Sequence, residues 1–251
     1  MTGAILSWAN ALLFFTVVLA YFVKSITGFG QTLVIGSLFS FVVPNTLTTP
    51  VDFLLCMPAN AYIVFRERKS ISLRAALPFA LCSSLGLLPG IFLLRVGSEA
   101  LLKAILGLVI VAMAIRIAAA KDDLRAKRSH PIAAASLGLT SGTLSGAFGV
   151  GVLAAIFFKK TSGDKHAFRA NTNFTFLLEG AFKFVLYWVA GLLSKEVYLY
   201  TLALSPAAVI GMLLGSKLDK HIDERKMKIS VIALLILSGT TLFVRNVVSI
   251  I

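Results

Sequence analysis

Six stretches of this chain contain no Asp, Glu, Lys or Arg: residues 1–23, 25–51, 75–94, 129–158, 197–216 and 229–244. Nothing else in the sequence narrows the fold so far. A helix that crosses a hydrocarbon core of about 30 Å needs about 20 mostly apolar residues, and each stretch can cross or nearly cross. Inside lipid the backbone must satisfy its own polar groups, which leaves helices or closed barrels. The short alternating strands of a barrel are not evident. The expected fold is therefore an all-α polytopic membrane protein. Charge content agrees, at 14% against about 25% in soluble domains. The apolar N-terminal run has no basic residue before it and reads as a first helix, not as a cleaved signal. Cys56 and Cys82 both lie in apolar spans and predict neither a disulfide framework nor a metal site.

A net charge of +13 invites a nucleic-acid partner, but the placement of the charge argues against one. Eighteen of the 24 basic residues fall in four short clusters: 66–74, 116–128, 159–169 and 217–228. Basic loops flanking apolar spans are what the positive-inside rule describes, with cytoplasmic loops lying against anionic lipid.

If the four clusters are placed on one face, the path of the chain follows. The span at 73–94 leaves, that at 100–117 returns, and the next basic cluster after 116–128 begins at Lys159 on the same face. Residues 131–158 must then enter and leave by one side. As one straight helix they would reach about 42 Å, which exceeds the core. Two half-length helices joined at "GAFGVG" satisfy both length and charge. The first half follows the same plan: a long segment at 5–43 interrupted by "KSITGFGQT" (24–32), then spans near 50–65, 73–94 and 100–117. Spans at 170–192, 197–216 and 229–244 complete the second half.

Setting Phe29-Gly30 on Phe148-Gly149 gives an offset of 119; Gly86 and Gly90 match Gly211 and Gly215 at an offset of 125. Each half is a broken hairpin plus three crossings, an odd number, so the second half starts on the opposite face. The chain thus divides into repeat 1 (1–120), a cytoplasmic linker (121–130) and repeat 2 (131–251), two inverted-topology repeats forming one membrane domain. Interrupted helices at matching positions point to a binding site in a secondary transporter. Free amides at a half-helix N-terminus favour an anion, and two such turns would converge near the midplane on one small acidic solute.

With "TGFGQTLVIGSLFSFVVP" in one half and "GLTSGTLSGAFGVGVLAAIFF" in the other, the chain resembles the TauE/SafE family over nearly its whole length. This is also called the toluene sulfonate uptake permease group. Gln31 and Thr32 stand where the first motif of that family carries glycines, and Val150 interrupts the second. The resemblance implies a bacterial inner-membrane carrier of sulfite, sulfonates or related anions.

The candidate substrate-binding residues are Lys24, Thr27, Gly28, Phe29, Gly30 and Gln31 at the first break. At the second they are Ser145, Gly146, Phe148, Gly149 and Gly151, with Asn171 and Asn173 at the head of the following span. Hydroxyls, an amide and free backbone N–H groups suit an oxyanion that must bind and then leave. Each has a plainer reading. Lys24 could snorkel or sit at a hairpin tip, the glycines could serve close helix packing, and the asparagines could cap a helix start. Glu179 and Lys183, four residues apart on one helix face, are a candidate coupling pair or a structural one.

No P-loop, H-E-x-x-H or G-x-S-x-G occurs, so neither ATP hydrolysis nor other catalysis is expected. His130, His166 and His221 are too scattered to bind metal, and no cofactor is expected. The expected partners are a small anionic substrate and the bilayer, with a homodimer left open. A proton- or gradient-coupled anion carrier is the leading function. The alternatives are an anion channel, an intramembrane enzyme and an accessory subunit.

Overall fold

A computed structural model describes residues 2–119, 131–218 and 224–248. The proposed linker at 121–130, with Lys121, Arg125, Lys127, Arg128 and His130, lies outside them, as do Lys220 and His221. The described residues form ten α-helices and no strand. They are α1 (Thr2–Thr27), α2 (Gln31–Phe39), α3 (Asn45–Arg66), α4 (Leu73–Val96), α5 (Glu99–Ala119), α6 (Pro131–Phe148), α7 (Val152–Thr161), α8 (Lys165–Val189), α9 (Lys195–Leu218) and α10 (Glu224–Val248). A short 3-10 turn at Arg68–Ser70 joins α3 to α4. Among the described residues, six helices are long and apolar enough to cross a membrane. Trp8, Trp188 and Tyr198 are exposed, as interface anchors would be.

Both long segments are broken where the glycines predict: α1 stops at Thr27 and α2 starts at Gln31, while α6 stops at Phe148 and α7 starts at Val152. The arms are not of half length, however. The leading arms of 26 and 18 residues reach about 39 and 27 Å, and the trailing arms of 9 and 10 residues about 14 and 15 Å. Helix geometry persists until the first glycine that leaves it, so the break falls late in the segment.

The chain packs as two compact units. The first comprises Met1–Val51, Gly97–Ala120 and Lys195–Ile251. In it α9 lies along α1, with Gly211 against Val18 and Phe22, and Gly215 against Phe22 and Ser25. Contacts advance along both chains together, so the two helices run parallel. Ser25 Oγ donates to Met212 O across this seam at 3.0 Å. Helix α5 packs on α10 in the opposite sense: Gly107 meets Gly239 and Phe243, and Gly239 meets Ile110 and Val111. That pair is antiparallel.

The second unit comprises Asp52–Val96 and Lys121–Ser194. Here α4 runs parallel to α6, with Gly86 against Leu139 and Gly142, and Gly90 against Thr143, Gly146 and Ala147. Small residues on both helices bring the backbones into contact, the usual basis of helix association where lipid removes a hydrophobic drive. Phe79 of α4 shows that the segment turns back. Its backbone borders Gly138, ten residues before the end of α6, and its ring stacks on Phe157 of α7 at 4.6 Å and meets Phe158 at 5.4 Å. Helix α7 therefore returns along α4 from the level of Gly90 to that of Phe79.

The same end of this unit gathers the loops that the charge map places on one face. Ser72 N–H donates to Asn171 Oδ1 at 2.7 Å, and Asn171 Nδ2 approaches Ser162 Oγ at 3.5 Å. Glu67 accepts from Arg66 Nε at 3.1 Å and pairs with His166 Nδ1 at 2.8 Å.

The packing is consistent with an internal inverted repeat. The leading broken helix of each half, α1 or α6, packs in parallel with the second helix from the end of the other half, α9 or α4. The last helices of the halves, α5 and α10, meet antiparallel, as equivalent helices do when repeats are inverted.

Candidate functional site

The first break lies within the first unit. Helix α1 ends because Gly28 takes φ +85°, in the left-handed region that side-chain-bearing residues avoid. Its N–H closes onto Lys24 O at 2.7 Å, the single-bond glycine C-cap. Gly30, at φ +92°, then starts α2 with no side-chain cap on the new helix. Thr27 turns inward, with its hydroxyl 2.8 Å from Val23 O and 2.6 Å from Phe29 O. Lys24 lies in the last turn of α1 and is fully buried. Its ammonium donates to Gln31 Oε1 at 3.3 Å, and Gln31 Nε2 donates to Thr32 Oγ1 at 3.2 Å. A cation at a helix C-terminus is favoured by the macrodipole, which offsets part of the cost of its burial.

The second break lies within the second unit and repeats the helix stop, while Gly151 enters the trailing helix at φ −97° where Gly30 is left-handed. Gly149 takes φ +74°, and its N–H closes onto Ser145 O at 2.9 Å. Gly151 precedes α7, again with no side-chain cap. A Cβ on Gly151 would meet the Phe176 ring, which would have to shift to admit it. The equivalence is Gly28 with Gly149 and Gly30 with Gly151, an offset of 121. The sequence match of Phe29-Gly30 on Phe148-Gly149 differs from this by two residues, because it follows a shared dipeptide and not the glycine whose N–H closes the leading helix. In the corrected register Ser145 stands where the first half has Lys24.

The second break nonetheless has an ammonium. Lys183 of α8, 6% exposed, donates to Ser145 Oγ at 2.7 Å and Ser145 O at 2.9 Å. Its own helix supplies the expected carboxylate, Glu179, at 3.8 Å. One turn further on, Tyr187 donates to Gly146 O at 3.2 Å. Ser83 of α4 donates to Glu179 Oε2 at 2.8 Å. The rings of Phe53 and Tyr187 lie 5.8 and 6.0 Å from the ammonium. A stripe of α8 at four-residue spacing, Glu179, Lys183 and Tyr187, thus holds the last turn of α6.

The structure gathers Ser145, Gly146, Glu179 and Lys183 in one cluster and Lys24, Thr27, Gly28 and Gln31 in another. Phe148 is buried as the final residue of α6, and Phe29 lies in the first break, its N–H accepted by Thr27 Oγ1 at 3.3 Å. Asn171 belongs to neither cluster. It ties two loops together, about 18 Å along α8 from Lys183. Asn173 donates to Arg169 O at 2.8 Å, back along its own helix. Neither caps the helix, which starts earlier than the sequence suggests: Asp164 accepts from Ala167 N–H at 2.8 Å and α8 begins at Lys165. Sequence reasoning did not find Tyr187 or Ser83. Tyr187 continues the spacing of Glu179 and Lys183 and could have been found; Ser83, 96 residues from Glu179, carries no local signal. No group of His, Cys, Asp or Glu among the described residues could hold a metal.

A family model described as Sulfite exporter TauE/SafE matches residues 13–242. No curated protein and no solved structure matches the chain.

Proposed function

The chain belongs to the TauE/SafE sulfite exporter family and is a multi-pass membrane transporter, and from that premise we propose that it is a secondary carrier of small oxyanions of the sulfite or sulfonate type in a bacterial inner membrane. The observation that carries this reading is the pair of buried ammonium groups, one at each broken helix. Lys24 donates to a neutral amide, Gln31. Lys183 rests mainly on a hydroxyl and a carbonyl, with its carboxylate partner at the longer distance. An anion near either break meets one of these ammonium groups, and the trailing helix N-termini, which have no side-chain caps, add partial positive charge.

Glu179 and Lys183 are the coupling element of this proposal. A proton taken by Glu179 removes the negative charge facing Lys183 and leaves the ammonium available to the substrate. The groups arrayed around the pair are Ser83 from α4, Ser145 from α6, Phe53 from α3 and Tyr187 from α8, and Asp52 and Cys56 of α3 lie near the Tyr187 phenol. The two halves, 1–120 and 131–251, act as repeats that each contribute one break.

Reconstituted vesicles test the proposal through flux of sulfite, methanesulfonate, sulfate and chloride, with and without an imposed pH gradient. Saturable sulfite or sulfonate flux that responds to the gradient is expected. Failure of all four anions to move would remove the proposal, and non-saturating flux indifferent to the gradient would make the protein a channel.

A further inference from the structure

We infer that Lys24 and Lys183 are one functional element built in two ways: each half requires a single ammonium at the last turn of its leading broken helix, and in the second half the neighbouring α8 supplies it. The inference rests on the anion-carrier reading above and adds that the position of the charge matters, not the helix that bears it.

Four correspondences fix that position. The Gly28 N–H closes on Lys24 O as the Gly149 N–H closes on Ser145 O. Gly28 and Gly149 share the left-handed conformation. Gly30 and Gly151 each precede a trailing helix that has no side-chain cap. Gly211 meets the carbonyl of Val18 as Gly86 meets that of Leu139, and Gly215 meets Phe22 O as Gly90 meets Thr143 O. All place residue n of α1 on residue n + 121 of α6, so Ser145 takes the station of Lys24. That is the residue on which the Lys183 ammonium converges, with its hydroxyl and carbonyl both within 2.9 Å. A lysine at 145 would carry its charge into the space that Lys183 now fills from outside the helix. The remaining Lys183 contacts fit this role: two aromatic faces and a carboxylate at 3.8 Å steady an ammonium that crosses from one helix to the end of another.

Relocating the charge tests this. Lys183→Ser should lower sulfite flux in vesicles about thirtyfold, as expected when a desolvated charge loses its partner. The double variant Lys183→Ser/Ser145→Lys should recover flux to within about threefold of the parent protein. If the serine variant does not accumulate, Lys183→Met and Lys183→Met/Ser145→Lys take its place. A double variant that is monodisperse and folded but carries no more sulfite than the single variant overturns the inference while leaving the carrier reading intact. If the parent protein itself moves no anion, the carrier reading fails. The equivalence is then decided by thermal unfolding in detergent: loss of Lys183 should lower the midpoint and relocation restore it, and a midpoint that is not restored overturns it.

Discussion

At Gly142 the backbone of α6 comes so close to Ser83 that an added Cβ would overlap the Ser83 carbonyl oxygen, whereas a Cβ on Gly163 would meet nothing. Gly142→Ala must therefore push α4 and α6 apart, at a cost of about 1–3 kcal/mol as for other overpacked sites. Gly149→Ala is costly for a different reason, since it places a side chain in the left-handed region at about 1–2 kcal/mol. Thermal unfolding in detergent should show lower midpoints for both and an unchanged midpoint for Gly163→Ala. A second residue-scale expectation concerns Glu67, outside the spans. Burial pushes its carboxyl up, but the hydrogen bonds and charges of His166 and Arg66 outweigh burial and hold it below its ordinary value of 4.5. A group whose folded pKa is depressed stabilises the fold above its unfolded value, and that contribution is lost as pH falls through the folded value. Glu67→Gln should therefore lower the unfolding midpoint at neutral pH and lose less on acidification than the parent. Parallel acid curves for the two proteins would contradict this.

Helices and their breaks were largely legible in the sequence because both rest on local rules. Charge-free stretches give the spans, and a segment too long for the core must break where glycine allows the backbone to reverse. The register between the halves was less legible. A Phe-Gly dipeptide recurs at one offset, but the glycines that close the leading helices recur at another, and the end of a helix is not written in a dipeptide. The start of α8 was misplaced for a similar reason, since Asp164 caps the helix in a charged stretch that hydropathy reads as loop. The cluster around Lys183 was half legible: the Glu179 spacing lies on one helix, but Ser145 and Ser83 reach it only through tertiary packing. The hairpin itself has a direct consequence. Because α7 returns along α4, cysteines placed at Ser70 and at Gly163, in a background lacking Cys56 and Cys82, should react with an impermeant thiol reagent from the same side of sealed vesicles. Labelling from opposite sides would show that α6 and α7 cross the bilayer as one rod.

For the whole molecule, the packing of α1 with α9, of α6 with α4 and of α5 with α10 treats the two halves alike, yet their broken helices are not chemically identical. The first carries its ammonium on the broken helix itself beside a neutral amide; the second borrows one from α8 that comes with a carboxylate. In the proposed mechanism, coupling acts at the second break, where Glu179 faces Lys183. The central claim is that these two buried charges handle the transported anion, and sulfite flux through vesicles containing Lys24→Met, Lys183→Met or Lys103→Met tests it most directly. Lys103, paired with Glu99 at 2.6 Å on α5, serves as the comparison. Loss of about thirtyfold or more in each break variant, with flux through Lys103→Met unchanged, is the predicted result. Parent-level flux through folded Lys24→Met and Lys183→Met would contradict it.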